Sequence, residues 1–210
     1  MSHVVLLGDS IFDNGMYVNG GPAVIDQLRA ALPAGWKATL AAVDGHTVAD
    51  VAGQLARVPA DATHLVVSAG GNDALGVTWM LGERAGTVRD ALGRVAAELG
   101  KFRAAYEAML AKVLALGKPT AVCTVYDSVP ALFGPAEFAA LSGFNDTITR
   151  AAAVAGIPLI DLRVLCADAG DYSPLSPIEP SVAGGAKIAG AICRMLAEHD
   201  FAKRRSAVYV

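Results

Sequence analysis

The sequence has few cysteines and few charged side chains, and it lacks a long uninterrupted apolar run. Only three of its 210 residues are cysteines, and they lie far apart and outside any CxxC pair. This pattern indicates neither a disulfide framework nor a zinc site, so we expect free thiols and no metal or other cofactor. The longest stretch without Asp, Glu, Lys or Arg runs from Asn14 to Ile25 and contains glycine and proline. It is too short and too broken for a membrane helix, which needs about 20 residues.

The charges are nearly balanced, with 17 Lys and Arg against 20 Asp and Glu and a formal net charge of -3. Because residues 203–205 form the only basic cluster, nothing in the sequence indicates a nucleic-acid partner. The first strand-like run begins at His3, which leaves no room for a secretory signal with a basic start and an apolar centre. We therefore expect a cytoplasmic protein that binds neither nucleic acid nor membranes. The sequence does not indicate its oligomeric state.

Apolar side chains, in contrast, make up 54% of the sequence, so much of the chain must be buried. A length of 210 residues suits one domain, 1–210, with a full core. Strands are predicted at residues 3–8, 38–43, 64–69, 120–125 and 157–162, and helices at 22–32, 47–58, 89–116, 136–155 and 181–197. This alternation is typical of a three-layer α/β/α domain, in which helices cover both faces of a doubly wound, five-stranded parallel sheet.

A serine follows the first predicted strand, in the sequence Gly8-Asp9-Ser10-Ile11. In open α/β sheets, ligands bind outside the carboxyl ends of the strands, so chemistry is expected in this loop. The glycine permits a tight turn that exposes the Ser10 hydroxyl in a cleft, as a nucleophile requires. Ser and Asp at strand ends form purely structural turn and capping bonds about as often.

Two further strand ends offer hydrogen-bond donors. The second predicted strand leads into Asp44-Gly45-His46 and the third into Gly70-Gly71-Asn72-Asp73. Three donors are available: the N–H groups of Ser10 and Gly45 and the side-chain amide of Asn72. If these donors converge on one oxygen, they form an oxyanion hole, which stabilises the negative charge of a tetrahedral intermediate. Gly45 or Asn72 taken alone is more often part of a turn.

Together, Gly8-Asp9-Ser10-Ile11, Gly45 and Gly71-Asn72-Asp73 resemble the first three sequence blocks of the SGNH (GDSL-type) hydrolases, in matching order and at similar strand ends. The resemblance covers nearly the whole chain. It implies a flavodoxin-like sheet, no metal requirement and an activity among esterases, lipases, thioesterases and carbohydrate deacetylases. By position it also implies Ser10 as the nucleophile, with Gly45 and Asn72 as oxyanion donors.

The fourth block departs from this pattern. In the family, an Asp-x-x-His segment just before the last helix supplies the general base and the group that orients it. The corresponding segment here is Ser176-Pro177-Ile178-Glu179, so that Ser176 stands in the place of the aspartate and Glu179 in the place of the histidine. The triad that the resemblance implies is therefore incomplete.

Three hypotheses follow for the role of Ser10. In the first, Glu179 is itself the base, which requires that burial raises the pKa of its carboxyl. In the second, His46 at the mouth of the cleft is the base. In the third, the cleft binds a ligand without hydrolysing it, and Glu179 is an exposed loop carboxylate beside a final helix that Ser181 caps.

The sequence indicates less specific roles for the other loop residues. Asp13, Asn14 and Asp73 are expected to hold the loops by bonds from their side chains to the backbone. The apolar segments 79–81 and 129–133 either line an acyl pocket or, as is more common, pack against the long helix. A flavin or nucleotide site is disfavoured because the first loop lacks the glycine spacing that it needs. The sequence thus predicts a serine hydrolase of small carboxylic esters or thioesters, with a catalytically impaired ligand-binding protein as the alternative.

Overall fold

The structure, a computed structural model, describes residues 2–129 and 134–210. Within them the chain forms a parallel sheet with helices on both faces, so the predicted doubly wound α/β/α class is confirmed. The strands are β1 (His3–Gly8), β2 (Lys37–Leu40), β3 (His64–Ser68), β4 (Thr120–Cys123), β5 (Leu159–Ile160) and β6 (Val208–Tyr209), in the spatial order β2-β1-β3-β4-β5-β6.

The prediction of five strands is wrong, because the described sheet has six. The additional strand, β6, is two residues long and pairs in parallel with β5, with Val208 beside Leu159 and Tyr209 beside Ile160. A strand this short has no readable periodicity. It forms because the edge of β5 offers unpaired backbone groups, which is a property of the folded sheet and not of the local sequence.

The described residues include seven α-helices that connect or follow these strands. They are α1 (Val24–Ala31), α2 (Val51–Gln54), α3 (Gly71–Leu75), α4 (Val88–Leu114), α5 (Pro135–Ala155), α6 (Leu162–Leu165) and α7 (Val182–Glu198). On one face of the sheet α1 packs against α7, and on the other α4 packs against α5 and α2. Nowhere in the described part of the chain is a helix both long and apolar enough to cross a membrane.

Strand β1 shows why both helical layers form. Its side chains alternate, since Val4 and Leu6 pack into the core that contains α1 and α7, while Val5 and Leu7 pack into the core that contains α4 and α5. All four side chains are fully buried. Burying a side chain of this kind contributes about 1.5–3 kcal/mol. A strand with apolar residues on both faces is therefore stable only between two covering layers.

The helix predicted at residues 89–116 is confirmed over most of its length and buries one apolar face. Phe102, Tyr106, Met109 and Val113 of α4 are buried in the core shared with α5, whereas Leu116 lies beyond the helix and is 39% exposed. The predicted and observed bounds differ most at residues 47–58, which form only α2 and a following 3-10 turn. This segment contains a glycine and ends before a proline, both of which disfavour a longer helix.

The order of the strands reverses between β1 and β3. After β1 the chain crosses one face of the sheet through α1, and after β3 it crosses the other face through α4. The two connections separate and leave a crevice at the carboxyl ends of β1 and β3, where ligands bind in doubly wound sheets. Ser10 follows β1 and Asn72 follows β3, so both lie at this crevice.

Candidate active site

The loop after β1 holds Ser10 in a tight turn. Gly8 has a φ of +126°, and a Cβ at this position would lie 1.6 Å from the carbonyl oxygen of Ser68. Only glycine allows this close approach of β1 to β3, and the Asp9 N–H can then donate to the same Ser68 oxygen at 3.1 Å. Ser10 is 7% exposed and lines the cavity described below. Its backbone N–H donates to no atom of the described residues.

Gly45 lies in the exposed loop after β2, with a left-handed φ of +77°. The neighbouring Asp44 ties this loop to the segment after Ser10, because its N–H donates to Asp13 Oδ2 at 3.0 Å and its Oδ2 accepts from the Tyr17 hydroxyl at 2.7 Å. Within the described residues the N–H of Gly45 has no acceptor. It is thus open to a ligand, as an oxyanion donor must be.

Asn72 lies in the first turn of α3, although the sequence predicted a loop there. Gly70, with a φ of +123°, turns the chain from β3 directly into this helix. The Asn72 side chain points toward the loop of Gly45, since its Nδ2 donates to the His46 carbonyl oxygen at 2.9 Å. This bond uses one of the two N–H groups of the amide and leaves the other for a ligand.

The structure therefore brings the three predicted donor loops to one edge of the sheet. Ser10 and Asn72 line the same cavity. Gly45 is not part of the cavity wall, but its neighbour His46 is hydrogen-bonded to Asn72. The loops are also joined as predicted for Asp13 and Asp73, since Asp73 Oδ2 accepts the N–H of Val48 at 3.0 Å.

Glu179 is buried, with 3% of its surface exposed, and is not the solvated loop carboxylate of the third hypothesis. Burial is the main cause that raises the pKa of its carboxyl above 4.5, and the negative charge of Asp44 adds to this. The nearby hydroxyls of Ser176 and Ser10 act in the opposite direction and lower this pKa, because each stabilises the negative charge of the carboxylate. Among the described residues, Oε2 of Glu179 has no hydrogen-bond partner. The carboxylate is therefore beside Ser10, poorly solvated and incompletely bonded.

The backbone around Glu179 is well fixed. Its carbonyl oxygen accepts the N–H of Ser173 at 2.8 Å, and its N–H donates to the Ser176 oxygen at 3.2 Å. Asn14 connects this segment to the loop of Ser10, because its Nδ2 donates to the Pro180 oxygen at 3.0 Å. The predicted structural role of Asn14 is confirmed, because this bond joins the segment of Glu179 to the segment of Ser10.

Asp9 also belongs to the site, although the sequence alone indicated only a structural role for it in the turn. It is 3% exposed, and burial raises the pKa of its carboxyl from 3.8 to about 7. The charges of Asp73 and Glu179 raise it further, whereas the hydrogen bond from the Ile11 N–H lowers it. The adjacency of Asp9 to Ser10 was the only signal in the sequence, because burial cannot be read from a turn motif.

The arrangement of His46 argues against its role as the base. Its Nδ1 is 3.0 Å from Nε2 of Gln54, an amide nitrogen that can only donate. The lone pair of Nδ1 is therefore occupied and the ring proton resides on Nε2, which leaves neither nitrogen free to accept a proton from Ser10. His3 lies at the other end of β1, where its ring contacts Asp61 and Thr39.

An apolar cavity of about 890 Å³, open solvent at its mouth included, extends from Ser10 and Asn72. Met80 and Leu81 line it, whereas Trp79 is 65% exposed. Its other apolar walls come from the segment after Asn72, from the loop after β4 and from α5 (Ala74, Leu75, Val77, Val125, Tyr126, Val129, Ala140, Leu141, Phe144). Residues 130–133, part of the predicted pocket segment, lie outside the described residues.

No three His, Cys, Asp or Glu side chains are grouped as metal ligands in the parts of the chain that the structure describes. The three cysteines are free, as predicted: Cys123 and Cys166 are buried and Cys193 is half-buried. Burial raises the pKa of the thiol in each case, so these cysteines are poor nucleophiles. The reactive groups at the crevice are thus a hydroxyl, two buried carboxylates and hydrogen-bond donors.

Comparison with known proteins identifies similar chains. The model of the GDSL-like lipase/acylhydrolase family matches residues 6–187. An extracellular lipase from Streptomyces rimosus superimposes with a TM-score of 0.68 at 19% identity, over 95% of this chain and 100% of that one. A variant of an acetyl xylan esterase from Geobacillus stearothermophilus gives 0.68 at 16% identity, over 95% and 96%. Phospholipase A1 from Streptomyces albidoflavus gives 0.67 at 18% identity, over 95% and 99%. No curated protein matches the sequence significantly.

Proposed function

Because the chain belongs to the GDSL-like lipase/acylhydrolase family, we propose that it is a serine hydrolase that cleaves small carboxylic esters or thioesters through an acyl-enzyme on Ser10. Ester hydrolysis in general is supported by the family and by the esterases and lipases that share its fold. The serine mechanism is supported chiefly by one observation. The Ser10 hydroxyl neighbours the buried carboxylate of Glu179 and lines an apolar cavity together with Asn72.

In the first half of the proposed reaction, Glu179 accepts the proton of the Ser10 hydroxyl while Oγ attacks the carbonyl carbon of the substrate. The carbonyl oxygen becomes negative and accepts hydrogen bonds from the N–H groups of Ser10 and Gly45 and from the Asn72 amide. Neutral Glu179 then returns the proton to the departing alkoxide or thiolate, and the acyl group remains on Ser10. In the second half, water attacks this ester with Glu179 again as the base, and Ser10 is regenerated.

The environment of Glu179 explains how a carboxylate replaces the usual histidine. An exposed glutamate is a weak base, but burial raises the pKa of Glu179 and so strengthens its ionised form as a proton acceptor. The departure at Ser176 is consistent with this role. An orienting aspartate serves an imidazolium ion, and none forms when the base is a carboxylate. The Ser176 hydroxyl lowers the pKa of Glu179, but burial is the larger effect, so the pKa stays raised.

The test is turnover of p-nitrophenyl acetate and butyrate by purified variants. We expect Ser10→Ala to fall to the uncatalysed rate, and Glu179→Gln to lose about 100-fold or more in kcat. Glu107→Gln, an exposed site on α4, serves as the matched control and is expected to retain full activity. In the wild type, kcat/KM is expected to fall in acid as Glu179 becomes protonated, with a midpoint above 4.5.

Two outcomes would contradict parts of this proposal. If Glu179→Gln remains fully active while Ser10→Ala is inactive, Glu179 is not the base. If a fluorophosphonate fails to label Ser10 although the protein binds esters, the ligand-binding alternative is correct.

A double variant, Glu179→His with Ser176→Asp, is expected to raise activity near about pH 8, where neutral imidazole is a better base than a carboxylate. The predicted cytoplasmic location is a separate point, which cell fractionation checks.

A further inference from the structure

Gln54, at the end of α2, is completely buried and reaches the loop of the candidate nucleophile. Its Oε1 accepts the N–H of Gly8 at 2.8 Å, and its Nε2 donates to the carbonyl oxygen of Gly8 at 2.7 Å. These two bonds to one residue fix the orientation of the amide, because the oxygen must face the N–H and the nitrogen must face the carbonyl. Gly8 is two residues before Ser10.

The second N–H of the same Nε2 faces Nδ1 of His46 at 3.0 Å. The carbonyl oxygen of His46 in turn accepts from Nδ2 of Asn72 at 2.9 Å. Hydrogen bonds therefore connect Gly8 to Gln54, Gln54 to the ring of His46, and the backbone carbonyl of His46 to Asn72. They join the three loops that carry Ser10, Gly45 and Asn72, and every polar atom of the Gln54 side chain is used.

We propose that Gln54 is a positioning residue that holds these three loops in register as one oxyanion-binding unit; this inference rests on the proposed hydrolase function. A carboxamide suits this position because it supplies an acceptor and two donors at once and has no charge to bury. Oxyanion donors act only when they are fixed near hydrogen-bonding distance of the reacting oxygen. A displacement of about 1 Å can reduce the rate about 100-fold.

The test compares Gln54→Met and Gln54→Glu with the wild type, using p-nitrophenyl acetate and the rate at which a small fluorophosphonate labels Ser10. Methionine keeps the approximate volume but makes none of the bonds, and a glutamate carboxylate keeps the acceptor but loses both donors. We expect kcat and the labelling rate to fall about 10- to 100-fold with KM changed less than about 3-fold. If Gln54 had only a structural role, its replacement would lower the melting temperature without a selective fall in kcat at nearly unchanged KM.

Asn145 provides a matched control. It is also buried, and like Gln54 it forms two hydrogen bonds to the backbone of one residue that follows a strand. Its Oδ1 accepts the N–H of Val125 at 2.8 Å, and its Nδ2 donates to the carbonyl oxygen of Val125 at 2.8 Å. No candidate oxyanion donor follows Val125. Because Val125 lines the cavity, we expect Asn145→Leu to lower the melting temperature and to change KM, while kcat for the acetate ester stays within about 3-fold of the wild type. An equal loss of kcat in both variants would mean that general loosening explains the effect, which would overturn the proposal.

The remaining outcomes also decide the question. A folded Gln54→Met protein with wild-type kcat overturns the positioning role and leaves the hydrolase function intact. If Gln54→Met does not fold, His46→Leu decides, since it removes only the ring acceptor of the Gln54 amide. We expect it to lower kcat about 5-fold or more at unchanged KM, and full activity would overturn the proposal. If the wild type shows neither turnover nor Ser10 labelling, the hydrolase function fails, and the inference fails with it.

Discussion

Replacing Asp9 with asparagine is expected to stabilise the protein at neutral and alkaline pH and to leave its stability nearly unchanged near about pH 4. Burial raises the pKa of Asp9 from 3.8 to about 7 in the folded protein. Between these pH values the folded protein retains a proton that the unfolded chain releases, so the free energy of unfolding falls as the pH rises. Asparagine has no such proton, and its Oδ1 can still accept the N–H of Ile11, which lies 3.1 Å from the Asp9 oxygen.

The size of the effect follows from the two pKa values. The difference between 3.8 and about 7 corresponds to about 4 kcal/mol, because each pKa unit is worth about 1.4 kcal/mol. This is an upper limit, since relaxation and water entry reduce the penalty for a buried charge. For a chain of this length, each 1 kcal/mol changes the melting temperature by about 2–4 °C. The variant is therefore expected to melt up to about 8–16 °C higher at about pH 8.

The assay is urea unfolding and thermal melting of the wild type and Asp9→Asn between about pH 4 and about pH 8. The control is Asp26→Asn, which changes the net charge equally at an exposed position on α1. We expect its free energy of unfolding to differ from that of the wild type by less than about 1 kcal/mol, because an exposed ion pair contributes little. The reasoning is refuted if Asp9→Asn differs from the wild type by the same amount at every pH, or if it is the less stable protein at about pH 8.

Two further predictions concern buried positions. Gly8→Ala is expected to lose about 3 kcal/mol or more, because the new Cβ would lie 1.6 Å from the Ser68 oxygen. Gly35 also has a positive φ, of +86°, but no atom lies within 4 Å of where its Cβ would be. Gly35→Ala should therefore lower the free energy of unfolding by only about 1 kcal/mol in the same urea titration. Tyr106→Phe is expected to gain about 1 kcal/mol, since its buried hydroxyl has no partner among the described residues. Tyr126→Phe should instead lose about 1 kcal/mol, because that hydroxyl donates to the Ile178 oxygen at 2.6 Å; equal effects in the two variants would contradict this account.

Much of the fold could be predicted because its signals are local. The bounds of β1 agree with the prediction at both ends, since an apolar run that ends in glycine needs no distant information. The N-cap role of Ser181 is likewise confirmed: its hydroxyl oxygen accepts from the N–H of Ala183 and of Gly184. The candidate site was predicted to the extent that it lies at strand ends, because parallel strands must bring Ser10 and Asn72 to one edge of the sheet.

The sequence by itself determined the alternation of strands and helices and the position of Ser10, and its resemblance to a known family predicted that Glu179 stands in the place of the usual histidine. Only the tertiary structure decided that Glu179 is buried beside Ser10, that the carboxyl of Asp9 has a raised pKa, and that Gln54 bonds to Gly8. The physical reason is that periodicity and turn chemistry act between near neighbours in the chain. Burial and long-range hydrogen bonds depend instead on segments that meet only when the sheet and its two helical layers have formed.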